Sequence, residues 1–499
     1  MATSILQASA VELQRRLAAG ELTSVRLVEE FLDQIERHNS KGMRLNAVIS
    51  VLDRDLALEI AKRLDEERRQ GNIRSSLHGI PIIIKDCIVT GPELGMPTTV
   101  GSHCFAGLRA KGNAQLVNQL IDGGLIILGK GNLTEFCGLK SKDTPIGWSA
   151  YIGQTLSAHR IANLKDEDQP TCGGSTSGPA VSIVAGFCPL GIGTETAGST
   201  VYPASCCGLY GMKLTPGSVS TDGVFKLSES FDGIGVLART PADLPLLIDI
   251  IAKKGVVSEA PNTLTERMEE SWSGLGVGIV PGDWGVAHAV EKWNREEVKS
   301  AYDNVPLILE GKGAKVIYPL DITPGNILSV GNDNLGTVAY HEFPEKLKEF
   351  LENFERGPDL ESLADVIKWN EEHRDIALPS PYNTQTELIR SRDNNMTEHR
   401  HREVCDILRR AALEKGVGKA IEDNGLNIIL APSDSILVSY AAWARWPIGT
   451  VPLGRLDGFG QPFGLFALAC SGKEDILLRF MALFEKTFPS PLGATCPFE

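Results

Sequence analysis

Apolar positions along this chain follow two rhythms. In the first seventy residues they recur every three or four positions, the spacing of a helix face. Ser9 to Glu12 reads as a capping box opening a helix that Gly20 ends. Thr23 or Ser24 caps a second, with Leu27, Val28, Phe31, Leu32 and Ile35 on one face. Residues 53–70 predict a third, with Leu56, Ile60 and Leu64 on one side and charges on the other. Then the rhythm changes to short continuous apolar runs at 80–84, broken only by Pro81, and at 125–128. Such runs suit strands covered on both faces. A helical pattern at 115–121 and the turn Gly123-Gly124 separate them, and 95–99 reads as a loop. Further strands are predicted at 277–280, 314–318 and 427–430, with a charged helix between the first two. Residues 332–420 are mostly charged helical pattern. Strands alternating with helices predict an α/β domain whose central sheet is covered on both faces.

One stretch, 171–211, breaks both rhythms. It holds two knots of glycine and hydroxyl residues, Gly173-Gly174-Ser175-Thr176-Ser177-Gly178 and 191–199. Between them 180–187 reads as a buried helix and 189–192 as a strand. Glycines beside hydroxyls let backbone N–H groups approach a ligand closely, as in loops that bind phosphate or the oxyanion of an acyl transfer. Neither knot has the lysine or spacing of a P-loop or of a dinucleotide loop. The G-x-S-x-G elbow is absent too. A plain linker is excluded by Val181, Ile183, Val184, Phe187, Leu190 and Ile192, which press the knots against a core. The charged stretch 158–170 reads as a surface loop leading into the first knot.

Composition narrows the classes. A chain of 499 residues carries a formal charge of −14, which speaks against nucleic acid or an anionic membrane as the main partner. The ten cysteines form no C-x-x-C pair and read as buried free thiols. The nine histidines are scattered without metal-ligand spacing; His78 alone lies near a candidate site in sequence. The amino terminus reads as an amphipathic helix start, and no apolar run approaches membrane-spanning length. A cytoplasmic, soluble protein is expected.

The motifs within 171–211 resemble those of the amidase signature family. GGSTSG, then PLGIGTETAGSTVYPA, then GLYGMKLTP stand where the family has its long glycine-serine signature. Upstream, HGIPIIIKDC resembles its lysine-bearing segment, and GKGNLTEF its following one; downstream, GVLARTPAD is a further match and opens a helix. The resemblance covers the first half well and returns near the carboxyl end, with 253–422 less family-like. It implies one large domain over 1–499 with a mixed central sheet, the amidase signature fold, and 253–422 covering part of the substrate pocket. It also implies a serine nucleophile, Ser199, a relay serine, Ser175, 24 residues earlier, and a base, Lys85. The peptide before the relay serine is cis in the family, which predicts a cis bond at Gly174–Ser175. Backbone N–H groups of Thr196, Ala197, Gly198 and Ser199 would form the oxyanion hole.

A serine hydroxyl needs a base before it attacks an amide, and a lysine serves only when neutral. The run Ile82-Ile83-Ile84 would supply the burial that disfavours an ammonium. Asp86 would oppose this by pairing with Lys85, so it is expected to point away from the serines. Lys130 is the rival base. The chain departs from the family pattern at Ser177-Gly178, at Glu195 and at Val201, and the last two resemble a subset that includes peptide amidases. The implied activity is hydrolysis of a carboxylic amide through an acyl-enzyme, on a small-molecule substrate. No metal, cofactor or nucleic acid is expected, and the chain would act as a monomer or homodimer. Three other readings remain open on the sequence: an acyltransferase using the same acyl-enzyme, a non-catalytic binding relative, and one component of an amidotransferase.

Overall fold

The computed structural model describes residues 4–253, 257, 264, 271–286, 295–323, 325–355 and 360–488. The first rhythm gives helices at Ala10–Ala18, Ser24–His38 and Arg54–Arg69. Their caps are Ser9, Thr23 and Asp53. The box at Ser9 is only half formed. Its hydroxyl accepts from Glu12 N at 3.1 Å, while the Glu12 carboxylate turns outward to Arg15.

The apolar runs become strands: β1 Val48–Val51, β2 Pro81–Lys85 and β3 Ile126–Gly131. Trp148–Ser149 (β4) and Gly153–Gln154 (β5) make a small separate ribbon. The signature supplies β6 Leu190–Glu195 and β7 Tyr210–Lys213, followed by β8 Gly233–Ala238. The remaining strands are β9 Gly276–Ile279, β10 Lys315–Ile317, β11 Ile428–Pro432, β12 Ile448–Arg455 and β13 Pro462–Leu468. Eleven of them form one sheet in the order β1-β3-β2-β6-β8-β7-β12-β13-β11-β9-β10. It is mixed, as expected. β3, β2 and β6 run parallel, as do β11, β9 and β10, and the neighbours between β6 and β11 pair antiparallel.

Side chains on a strand alternate between faces, and here both faces are apolar. On β11, Ile428 and Leu430 join one core cluster while Ile429 and Ala431 join the other. On β13, Leu465 and Ala467 divide from Phe466 and Leu468 in the same way. Helices therefore cover the sheet on both sides. Between 332 and 420 the charged pattern is helical as predicted, with the longest pieces at Leu335–Leu351, Leu363–Glu372 and Glu398–Arg410.

Four expectations need correction. The strand after Pro189 does not stop at Ile192 but runs on to Glu195, through the glycines that read as a knot. Those glycines are there for packing. A Cβ on Gly193 would lie 2.3 Å from the Thr176 side chain, and one on Gly191 would lie 3.2 Å from Pro179. The buried helix starts earlier than 180, at Ser177, because Pro179 sits in its first turn where no intrahelical N–H bond is lost. Residues 235–238 belong to β8, and the helix that follows begins only at Asp243. The stretch 158–170 is exposed only in part, since Ala158 and His159 are buried.

His159 anchors that stretch. Its Nε2 donates to the carbonyl of Cys207 at 3.2 Å, and burial pushes the imidazole down to about 4 despite that bond. A depressed histidine contributes stability above its unfolded value of about 6.5, which is lost as pH falls through the folded value. Urea midpoints measured from pH 7 to pH 4 should therefore fall more steeply for the native chain than for a His159→Gln variant. The difference should amount to roughly 3 kcal/mol by pH 4. Parallel pH profiles for the two proteins would contradict it.

Candidate active site

β2 and β6 are parallel neighbours, with Ile82 opposite Leu190 and Ile84 opposite Ile192. Their carboxyl ends therefore lie side by side and carry Lys85 and Thr194. Lys85 has no accessible surface. Its Nζ lies 2.8 Å from Ser175 Oγ, 2.9 Å from Thr194 Oγ1 and 3.2 Å from the Thr194 carbonyl, all within hydrogen-bond reach. Ser175 follows a cis peptide bond from Gly174. It is buried, and its carbonyl accepts from Thr134 N at 3.1 Å. The structure thus brings two of the three proposed catalytic side chains into direct contact.

Ser199 is half-buried, and its backbone is tied to the first knot by Thr176 N donating to its carbonyl at 2.9 Å. The loop before it is held from both ends. Glu195 Oε2 accepts from Thr200 N at 2.7 Å and from Val201 N at 3.0 Å, which holds the start of the helix Val201–Cys206. The Thr196 carbonyl accepts from Lys213 Nζ at 2.7 Å, and the Thr196 hydroxyl donates to Asp232 Oδ1 at 2.7 Å. Gly198 has φ +90°, a backbone that side-chain-bearing residues rarely adopt. Among the described residues, the backbone N–H groups of Thr196, Ala197, Gly198 and Ser199 donate to no protein acceptor. These four consecutive donors belong to Ser199 itself and the three residues before it.

Among the described residues four lysines are fully buried, and their partners separate them. Lys130, the rival base, lies 3.4 Å from Asp86 Oδ1 and donates to Thr98 Oγ1 at 2.8 Å. Burial pushes Lys130 down and Asp86 up, each opposed by the other's charge. Asp86 also accepts from Thr99 N at 3.0 Å, so it points away from the serines as expected. Lys140 is bound to both oxygens of Glu135 at 2.8 Å. Lys213 is pushed down by burial, with Glu195 and Asp232 opposing. Lys85 has only hydroxyls and a carbonyl within hydrogen-bond reach, and no carboxylate within 4 Å among the described residues.

Several neighbours escaped the sequence reading. Lys213 stands in GLYGMKLTP, a match noticed only as a motif, and Asp232 lies in a stretch with no motif at all. Cys137 is not a plainly buried thiol. It is half-buried and 4.0 Å from Thr194 Oγ1, and the neighbouring Cys87 thiol holds it below the usual thiol range against the effect of burial. His78 takes no part: Nε2 donates to the Leu64 carbonyl at 2.9 Å.

Part of the less family-like segment rests against the site's surroundings. Lys140 Nζ donates to the Ala377 carbonyl, Glu387 N donates to the Lys140 carbonyl at 3.1 Å, and Tyr382 packs edge-on to Trp148 at 5.0 Å. Glu342, on the helix Leu335–Leu351, accepts from the hydroxyls of Ser228 and Ser230. That segment leads directly into Asp232 and so to Thr196.

Comparison with known proteins identifies the family. The family model described as Amidase matches residues 26–438. A probable amidase of Arabidopsis thaliana is 30% identical over 496 residues, covering 97% of this chain and 90% of the relative. A putative amidase of Schizosaccharomyces pombe is 28% identical over 507 residues, covering 95% of this chain and 84% of the relative. The crystal structure of the native peptide amidase of Stenotrophomonas maltophilia superposes with a TM-score of 0.86 at 30% identity, covering 98% of both chains. With matches over nearly its whole length in both sequence and fold, this chain belongs to the amidase family, whose hydrolases act on carbon–nitrogen bonds of linear amides.

Proposed function

We propose that the chain hydrolyses a carboxylic amide through an acyl-enzyme on Ser199, with Ser175 as proton relay and Lys85 as base. The observation that carries this reading is the 2.8 Å contact between Lys85 Nζ and Ser175 Oγ at a buried strand end with no carboxylate within 4 Å among the described residues. A buried amine beside a hydroxyl is placed to take the proton that the hydroxyl gives up. Ser199 Oγ attacks the amide carbon as its proton passes to Ser175 Oγ, and the Ser175 proton passes to Lys85 Nζ. The negative oxygen that forms is received by the N–H groups of Thr196 to Ser199. Collapse returns a proton through Ser175 to the leaving amine, and water releases the acyl group by the same route in reverse. No step calls for a metal or cofactor.

The likeness to a peptide amidase at 30% identity makes short peptide amides the first substrates to offer. A panel of peptide amides, simple primary amides, anilides and fatty amides, read by mass spectrometry, tests the reading. Turnover of none of them, together with no labelling by a fluorophosphonate, would sink it. The same panel with added amines separates hydrolysis from acyl transfer, because a transferase would give the new amide as its main product.

Ser199→Ala should lower kcat/KM by at least about 10³-fold, with circular dichroism and urea midpoint unchanged. Near-native turnover in that variant would remove the nucleophile assignment.

Lys85→Ala should cost about 10²–10⁴-fold, and Lys85→Arg should not restore the loss, because guanidinium stays protonated. An active Lys85→Arg protein would point to another base.

A further inference from the structure

Outside the active site, two helices bring together a set of side chains with the chemistry of a metal centre. His341 lies on the helix Leu335–Leu351; Glu398 and His401 lie on the helix Glu398–Arg410. One donor atom from each of the three lies within 4.8 Å of the other two. His341 Nε2 is 2.9 Å from Glu398 Oε1, and the two imidazoles face each other with centroids 4.8 Å apart. All three line a cavity of about 370 Å³ that Glu229, Glu342 and Arg445 share.

We propose that His341, Glu398 and His401 form a binding site for a divalent first-row transition ion of the zinc class. Two neutral imidazoles and one carboxylate suit such an ion, whereas magnesium and calcium prefer all-oxygen sets. The spacing Glu398 to His401 places both on one face of a helix, and His341 reaches them from the neighbouring helix. Glu398 is the exposed member, with 78% of its side chain accessible, and gives the ion a route in. The local charge is favourable. The nearby cations are already engaged, Lys346 with Glu349 at 2.5 Å and Glu229 at 3.5 Å, and Arg445 with the carbonyls of Glu229 and Ser230.

A second donor set, Glu342, His401 and Cys405, overlaps the first. It is the weaker candidate because Glu342 already accepts from Ser228 and Ser230 and lies 2.7 Å from His401 Nε2. That carboxylate instead orients His401 from behind, the role that outer partners play for metal-bound imidazoles. The bound ion would cross-link the two helices, one of which holds the Ser228–Ser230 segment. The site stands or falls independently of the chemistry at Ser199.

The test is isothermal titration of the full chain, stripped with a chelator and dialysed, with zinc chloride. One equivalent should bind, and magnesium chloride should give no heat. His341→Ala, His401→Ala and Glu398→Gln should each weaken zinc binding at least about tenfold. Glu398→Gln is conservative and exposed, so it remains informative if a histidine variant folds poorly. His399→Ala, on the same helix but outside the set, should bind as the native chain does. No one-to-one binding, or equal affinity in Glu398→Gln and native protein, would overturn the proposal. Loss of binding in Cys405→Ser with full binding in Glu398→Gln would overturn the ligand assignment in favour of the second set.

Discussion

A lysine with no accessible surface and, among the described residues, no carboxylate within 4 Å constrains everything near it. Charged groups are rarely buried unless paired, since removing an ion from water costs several kcal/mol even after relaxation. Among the described residues four lysines are buried, and a carboxylate stands within 3.4 Å of two of them. The third is turned to the Thr196 carbonyl, with two acids further off. Lys85 is the exception, and the surrounding architecture reflects it. β2 and β6 must be parallel neighbours for its amine to meet Thr194. The knot at Gly173–Gly178 must fold back over their ends for it to meet Ser175. Asp86, one residue away, must turn to the other side, where Lys130 and Thr99 hold it.

The glycines of the signature and of β8 serve this arrangement in two distinct ways. Gly198 has the positive φ that carries the chain around the loop before Ser199. Gly193 and Gly235 instead leave space within the sheet for the side chains of Thr176 and Thr200, which follow the two serines. A Cβ on Gly193 would lie 2.3 Å from Thr176, and one on Gly235 would lie 2.1 Å from Thr200. The strands and the serine-bearing segments are therefore packed against each other without slack, and each serine's position is fixed by its successor's side chain as much as by its own.

This explains which parts were legible in the sequence. β2 was readable from three consecutive isoleucines, and the candidate site from a long motif with a fixed serine spacing. β6 was truncated and β7 and β8 were missed because a glycine inside a strand looks like punctuation when its packing partner lies elsewhere in the chain. Asp232 gave no local signal, since its partner Thr196 is 36 residues away. The pairing of His341 with His401 was hidden for the same reason: no single helix displays metal-ligand spacing when the donors come from two. Half of the Ser9 box failed because Glu12 found a closer cation in Arg15.

The order of the sheet has a consequence for how the chain is made. β1, β3, β2, β6, β8 and β7 are contiguous in space and all precede residue 239, and this block contains Lys85, Ser175 and Ser199. During synthesis it can pair fully before the rest emerges, except along the outer edge of β7. That edge waits for β12, whose first paired residue is Ile448. On the ribosome, then, the growing chain carries a nearly finished half-sheet with one bare, apolar strand for as long as it takes to add some two hundred more residues. Bare edges invite pairing with other chains. The safety of this protein's biogenesis therefore rests on β12 arriving in time, and its removal should harm the yield of folded protein more than its distance from the serines would suggest.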